Sequence, residues 1–254
     1  MENDVYLKTG RVFFGISVLA IGVVHIATRN FPAALLPVWA SLPGRQALAY
    51  VSGIILMIAG ILTLTRKYSL HGALISTIIF LCFLLFVHIP QLIINLKKPG
   101  EWTPPFEVLM LFGGALTLAG IALNRDQHKI NGSKFIAAGK YIFAVGLFMF
   151  AVLHYLFPVE VTGFMPLWMP FKLFWAYFVM CAFLAASVSI FINKQVRLSE
   201  TLVALMFFIW VCILHLPVVI ENIHSANNWI FVFVPLAMSG VGLLIAGTTN
   251  RVRL

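Results

Sequence analysis

Charge is scarce in this 254-residue chain: Asp, Glu, Lys and Arg together make up 10% of it, against about a quarter of a soluble domain. A water-solvated globule is thereby excluded. Cysteine is scarce as well, with three residues. Cys82, Cys181 and Cys212 each fall inside an apolar run and show no C-x-x-C spacing, so neither a disulfide framework nor a dithiol redox centre is indicated. The chain also lacks a P-loop, a G-x-S-x-G elbow, a Rossmann glycine pattern and H-E-x-x-H. Those absences argue against a phosphate-driven pump and against a hydrolase.

What the chain has instead is hydrophobicity, at 61% of residues. Apolar runs near 12–28, 46–65, 72–94, 106–123, 141–157, 173–192, 200–221 and 229–248 alternate with short polar breaks. Each has the length that crosses a hydrocarbon core. A bilayer interior offers backbone groups no water, and the runs are far too long for barrel strands. The expectation is an all-α, polytopic membrane protein with eight transmembrane helices.

The net charge of +9 sorts by loop. Lys8, Arg11, Arg66, Lys67, Arg125, Lys129, Lys134, Lys140, Lys194, Arg197, Arg251 and Arg253 fall on one side, and Arg29, Arg45, Lys97, Lys98 and Lys172 on the other. That bias predicts a multi-pass membrane protein with both termini cytoplasmic. The partner implied by the basic balance is the bilayer and its anionic headgroups, not nucleic acid.

The chain is written twice. GRVFFGISVLAIGVVH, from Gly10 to His25, aligns at an offset of 129 with GKYIFAVGLFMFAVLH, from Gly139 to His154. Pro37 and Trp39 of LLPVW match Pro166 and Trp168 of FMPLW. Beyond the next loop the offset becomes 127, pairing LLFVHIPQLIIN (Leu84 to Asn95) with VCILHLPVVIEN (Val211 to Asn222). Tyr50 then pairs with Tyr177, Trp102 with Trp229, Gly113 with Gly240 and Gly120 with Gly247. We divide the chain into a first unit, 1–127, and a second, 128–254, each with four spans. An even number of spans makes the repeats parallel. The mid-chain twin of the first span cannot be a signal peptide, which argues that the first span, with Lys8 and Arg11 before it, is retained and not cleaved.

Helical rise places His25 about 20 Å and His88 about 24 Å along their helices, a common level in the outer half of the bilayer. The same count levels His154 with His215. His88, Gln91 and Asn95 share one stripe; in the second unit the stripe reads His215, Val218 and Asn222. Glu107 follows Pro104 and Pro105 near the outer end of span four, and Glu221 stands where the first unit has Ile94. Intramembrane ionisable residues are costly, which makes function the default hypothesis. A structural alternative remains open: the histidines bond to carbonyls freed by Pro90 and Pro217, or to each other, and lock the bundle.

As a site, His25, His88, His154, His215, Gln91, Asn95, Asn222, Glu107 and Glu221 form the candidate cofactor-binding set. Metal ligation is not expected, because Glu221 and His224 are the one close ligand pair on a helix and their first-unit twins are Ile94 and Lys97. Haem would need axial histidines across two helices. A quinone suits an apolar, aromatic cavity with one or two His donors, as do other apolar ligands. Trp39, Trp102, Trp168 and Trp229 read as interfacial anchors and Pro37 and Pro166 as rigid turns. The glycines at 113, 120, 240 and 247 read as close helix contacts.

The unit resembles the DoxX-like family of four-helix bacterial membrane proteins. The resemblance rests on a His ending span one, P-x-W in the outer loop, Tyr50, Ser52 and Gly53 opening span two, and a Pro and Asn closing span three. It spans nearly the whole chain as two fused units. The second unit departs, with AYFVM in place of AYVSG, and both units carry His before the Pro, at 88 and 215. The resemblance implies association with thiosulfate:quinone oxidoreductase or with redox and oxidative-stress systems. The expectation is a redox- or quinone-associated membrane subunit with an outward-facing His-lined pocket, a quinone before a haem as cofactor, and a redox-protein partner on the outer face. In that expectation Glu107 and Glu221 assist proton movement. The alternatives are a non-enzymatic carrier or binding protein for a lipid-like or small organic solute, and a scaffold that docks a partner on the LPVW and MPLW loops.

Overall fold

Eight helices long and apolar enough to cross a membrane run through the computed structural model, which describes residues 2–163 and 165–249. They are α1 (Glu2–Thr28), α2 (Arg45–Leu64), α3 (Arg66–Ile94), α4 (Thr103–Arg125), α5 (Gly132–Leu156), α6 (Lys172–Phe191), α7 (Val196–Glu221) and α8 (Ala226–Thr248). A short helix, Pro158–Gly163, lies in the loop after α5. Among the described residues every regular element is helical. Each of the eight expected spans has its helix, and several helices overrun the apolar runs into polar residues, α1 by most.

The breaks follow local chemistry. Gly44, at φ 66°, opens α2. The Asn131 side chain caps α5 by accepting from the Ser133 amide, and Ser225 caps α8 by accepting from the Asn228 amide. Both third spans are interrupted by a π-helical turn at matching positions, Leu84–His88 in α3 and Val211–His215 in α7. Pro90 and Pro217 explain them: a proline cannot donate to, and clashes with, the carbonyl four residues back. A widened turn just before it relieves both problems, and it ends on the histidine each time.

Neighbouring helices close a ring, α1 to α2 and onward to α8, which returns to α1. α4 and α8 also touch each other across its middle and are the most buried of the spans. Their sequences permit this, being rich in small residues: Gly113, Gly114, Ala115 and Ala119 on α4, and Ala237, Gly240, Gly242 and Ala246 on α8. With no hydrophobic drive between helices in lipid, such small faces gain dispersion contacts by letting backbones approach. The tightest helix contacts cross between the units. α1 packs on α8, where a Cβ at Gly10 would lie 2.6 Å from the Gly240 carbonyl oxygen. α4 packs on α5, where a Cβ at Gly113 would lie 2.8 Å from the Gly139 carbonyl oxygen. A first lobe is therefore enclosed by α1, α2, α3, α4 and α8, and a second by α5, α6, α7, α8 and α4.

The lobes are not equally tight. Gly72 of α3 lies directly against the backbone and hydroxyl of Thr63 on α2. Its twin is Ser199, and α6 touches α7 far less than α2 touches α3.

Candidate functional site

The first lobe brings two of the sequence-predicted histidines inside. His25, in the last turn of α1, and His88, at the end of the π turn of α3, are both fully buried. Ser52 of α2 fixes the state of the first ring. Its hydroxyl donates to the Ala49 carbonyl at 3.1 Å and lies 3.1 Å from His25 Nδ1. With the serine proton so committed, Nδ1 carries hydrogen and donates to Ser52 Oγ. Nε2 is then a bare acceptor, buried and without a partner. Neither ring nitrogen of His88 has a hydrogen-bond partner. The structural alternative in which His88 bonds a carbonyl freed by Pro90, or another histidine, is therefore not met at this ring.

Aromatic side chains flank His25. Phe31 meets His25 edge to face with centroids 5.4 Å apart, and Phe83 lies 6.3 Å away. The loop between α1 and α2 closes the end of the lobe away from the start of α1, with Phe31, Leu35, Leu36 and Val38 all buried. Gln91 and Asn95 hold that loop: Gln91 Nε2 donates to the Pro37 carbonyl at 2.8 Å, and Asn95 Nδ2 donates to Gln91 Oε1 at 3.2 Å. The stripe His88, Gln91, Asn95 thus splits into one ring facing the interior and two amides clamping a lid. Glu107 stands half-buried near the outer end of α4.

The second lobe places the twin residues differently. His154 is half-buried and its Nδ1 bonds the Phe150 carbonyl of its own helix at 2.8 Å. The cause is readable in the chain, since the twin of Ser52 is Val179, which has no hydroxyl to offer. The His154 ring also meets Phe183 edge to face at 5.4 Å. His215 is half-buried and faces Phe231 at 6.3 Å. Glu221, Asn222 and His224 are exposed at and beyond the outer end of α7, away from both rings' buried surroundings. The second loop does not seal the lobe as the first does: Val38 is 7% exposed while its twin, Leu167, is 98% exposed, with Trp168 and Phe171 exposed beside it.

The first lobe therefore offers one buried acceptor, His25 Nε2, and one buried imidazole, His88, able to donate from either nitrogen, in apolar surroundings. Such a pair is suited to a neutral ligand with a carbonyl and a hydroxyl. Among the described residues no three His, Cys, Asp or Glu side chains converge as a metal site would require.

One buried acid was missed by sequence reasoning. Glu200 of α7 is fully buried, with neither carboxylate oxygen hydrogen-bonded. A Cβ built on Gly242 of α8 would lie 3.0 Å from the Glu200 carbonyl oxygen. It opens the seventh apolar run and so read as an end residue; an acid whose twin is Ala73 was the available signal. It lies near the opposite end of α7 from His215 and belongs to no histidine pocket.

Comparison with family models, with curated proteins and with solved structures returned no match.

Proposed function

We propose that the chain is a DoxX-like integral protein of the bacterial inner membrane, with cytoplasmic termini, that binds a quinone in its first lobe as a redox-associated subunit. The observation that supports this most is the set of three buried, unpartnered imidazole nitrogens, His25 Nε2, beside Phe31 and Phe83, and both nitrogens of His88. A buried polar atom without a partner costs on the order of 1–3 kcal/mol. A ligand that pairs with these atoms recovers it. A quinone carbonyl accepts from the His88 N–H, and the hydroquinone hydroxyl donates to His25 Nε2, so both redox forms find a partner. Electrons would pass to or from a protein docked on the outer face, beside the lid of residues 29–44. The lopsided distribution of basic residues supports the orientation.

The test uses the full chain purified in mild detergent, extracted for bound quinone and then titrated with a short-chain quinone while thermal stability is followed. Stabilisation that is lost in His88→Phe and retained in His215→Phe is expected. No bound quinone, and no response in the wild type, rejects the proposal.

The second reading is a non-enzymatic carrier or binding protein for a lipid-like solute. The looser second lobe favours it, since a lobe with an unsealed loop gives an apolar solute a way in. Stabilisation by such solutes, with no quinone response and no dependence on His88, would select it.

A further inference from the structure

We propose a second site, for the phosphate group of an anionic glycerophospholipid or of a soluble phosphate, at the membrane face where the chain termini lie. A cleft of about 700 Å³ opens there between the ends of α1, α5, α7 and α8. Two cations, Lys140 and Arg197, line it together with Tyr6, Ser133, Asn193 and Thr201, and among the described residues no acidic side chain does. Lys140 Nζ donates to Asn193 Oδ1 at 3.0 Å, and the Arg197 guanidinium stacks over the Tyr6 ring at 4.8 Å. The first turn of α7 forms one wall, adding the positive end of its dipole.

The internal repeat supplies the control. The twin of Lys140 is Arg11, whose guanidinium donates to the Thr63 and Leu64 carbonyls and so closes the end of α2. The end of α6 needs no such help. A turn through Asn193 and Gln195, both at positive φ, returns the Lys194 amide to the Ser189 carbonyl at 3.0 Å. The Ser189 hydroxyl in turn donates to the Lys194 carbonyl at 2.5 Å. The lysine ammonium is thus released from capping to face the cleft. The twin of Arg197 is Leu70, which is buried, so this second cation exists in one unit alone. One departure from the repeat frees a cation from capping and the other adds a cation at the same place. Ile136 and the exposed Leu198 add apolar surface to the cleft lining, which an acyl chain beneath a headgroup can cover.

The full chain in detergent, stripped of lipid, is heated with dioleoylphosphatidylglycerol, dioleoylphosphatidylcholine or inorganic phosphate. Stabilisation by phosphatidylglycerol but not phosphatidylcholine is expected. In Lys140→Gln the apparent affinity should fall roughly five- to tenfold, the worth of one basic contact to an anionic headgroup. Lys97→Gln, which removes the same charge from the opposite face, should respond as the wild type does. Asn193→Asp sets a carboxylate against Lys140 without altering shape, and should abolish the response even if Lys140→Gln fails to fold. A response to inorganic phosphate alone, lost in the same variants, would assign the site to a soluble phosphate. Retention of the wild-type response by a folded Lys140→Gln or by Asn193→Asp, or equal stabilisation by phosphatidylcholine, overturns the proposal.

Discussion

Gly10 of α1 lies against Gly240 of α8, so close that a Cβ on either would come within 2.7 Å of the other's carbonyl oxygen. The twin pair, Gly139 and Gly113, makes the same contact between α5 and α4. Each unit therefore completes the other: the helix that closes the first lobe beside His25 is the last span of the second unit. A duplicated four-span sequence has become one body whose sites depend on both halves.

Gly10→Leu and Gly139→Leu are expected to destabilise the protein by similar amounts, about 1–3 kcal/mol each, because overpacking forces backbones apart. Thermal unfolding in detergent reads this directly. A loss confined to one of the two positions would show that the paired contacts are not equivalent.

The lid over the first lobe hangs on Gln91, which donates to the Pro37 carbonyl. Its twin is Val218, and there the matching loop leaves Leu167 and Trp168 exposed. Gln91→Val should therefore loosen residues 29–44 at a cost of about 1 kcal/mol, the net worth of one hydrogen bond. Hydrogen exchange at Leu35 and Leu36 is expected to accelerate. Unchanged protection would mean that the buried apolar side chains hold the lid unaided.

Ser52→Val copies the second unit into the first. Without the serine oxygen, His25 Nδ1 is expected to turn to the Ile21 carbonyl, as His154 Nδ1 bonds Phe150. Imidazole nitrogen chemical shifts read the ring's hydrogen bonding, and quinone affinity should fall because Nε2 leaves its place. An unmoved ring would show that Phe31 and Phe83 alone position it.

The spans were legible because hydrophobic length is a local property and no alternative backbone survives in lipid. The apolar runs placed His25 and His88 on the helices that carry them. What the chain did not disclose was tertiary. Gln91 and Asn95 read as part of a polar stripe, yet the loop they clamp, 29–44, is distant in sequence and its burial depends on packing. The same pattern of Pro and Trp in the second loop led to exposure. Nor could a repeat reveal that α4 and α8 exchange partners, since duplication records covalent units and not neighbours.

Glu200 is the site where stability and another role are most plainly opposed. Both its carboxylate oxygens are buried without a hydrogen-bond partner, on the face of α7 where Gly242 of α8 lies against Glu200 and Ala204. Burying such a group is unfavourable whatever its neighbours' shape. Glu200→Gln keeps a buried polar group without a partner and is expected to change the melting temperature little. Glu200→Met replaces the carboxyl with apolar surface of similar volume and is expected to raise it. The gain should fall in the range of about 0.5–2 kcal/mol common for relieved sites. Glu200→Lys, a longer cation in the same dry space, is expected to abolish folding. If Glu200→Met instead lowers the melting temperature, the carboxyl makes a stabilising bond, through water or lipid, and Glu200 is a structural element of the α7–α8 contact.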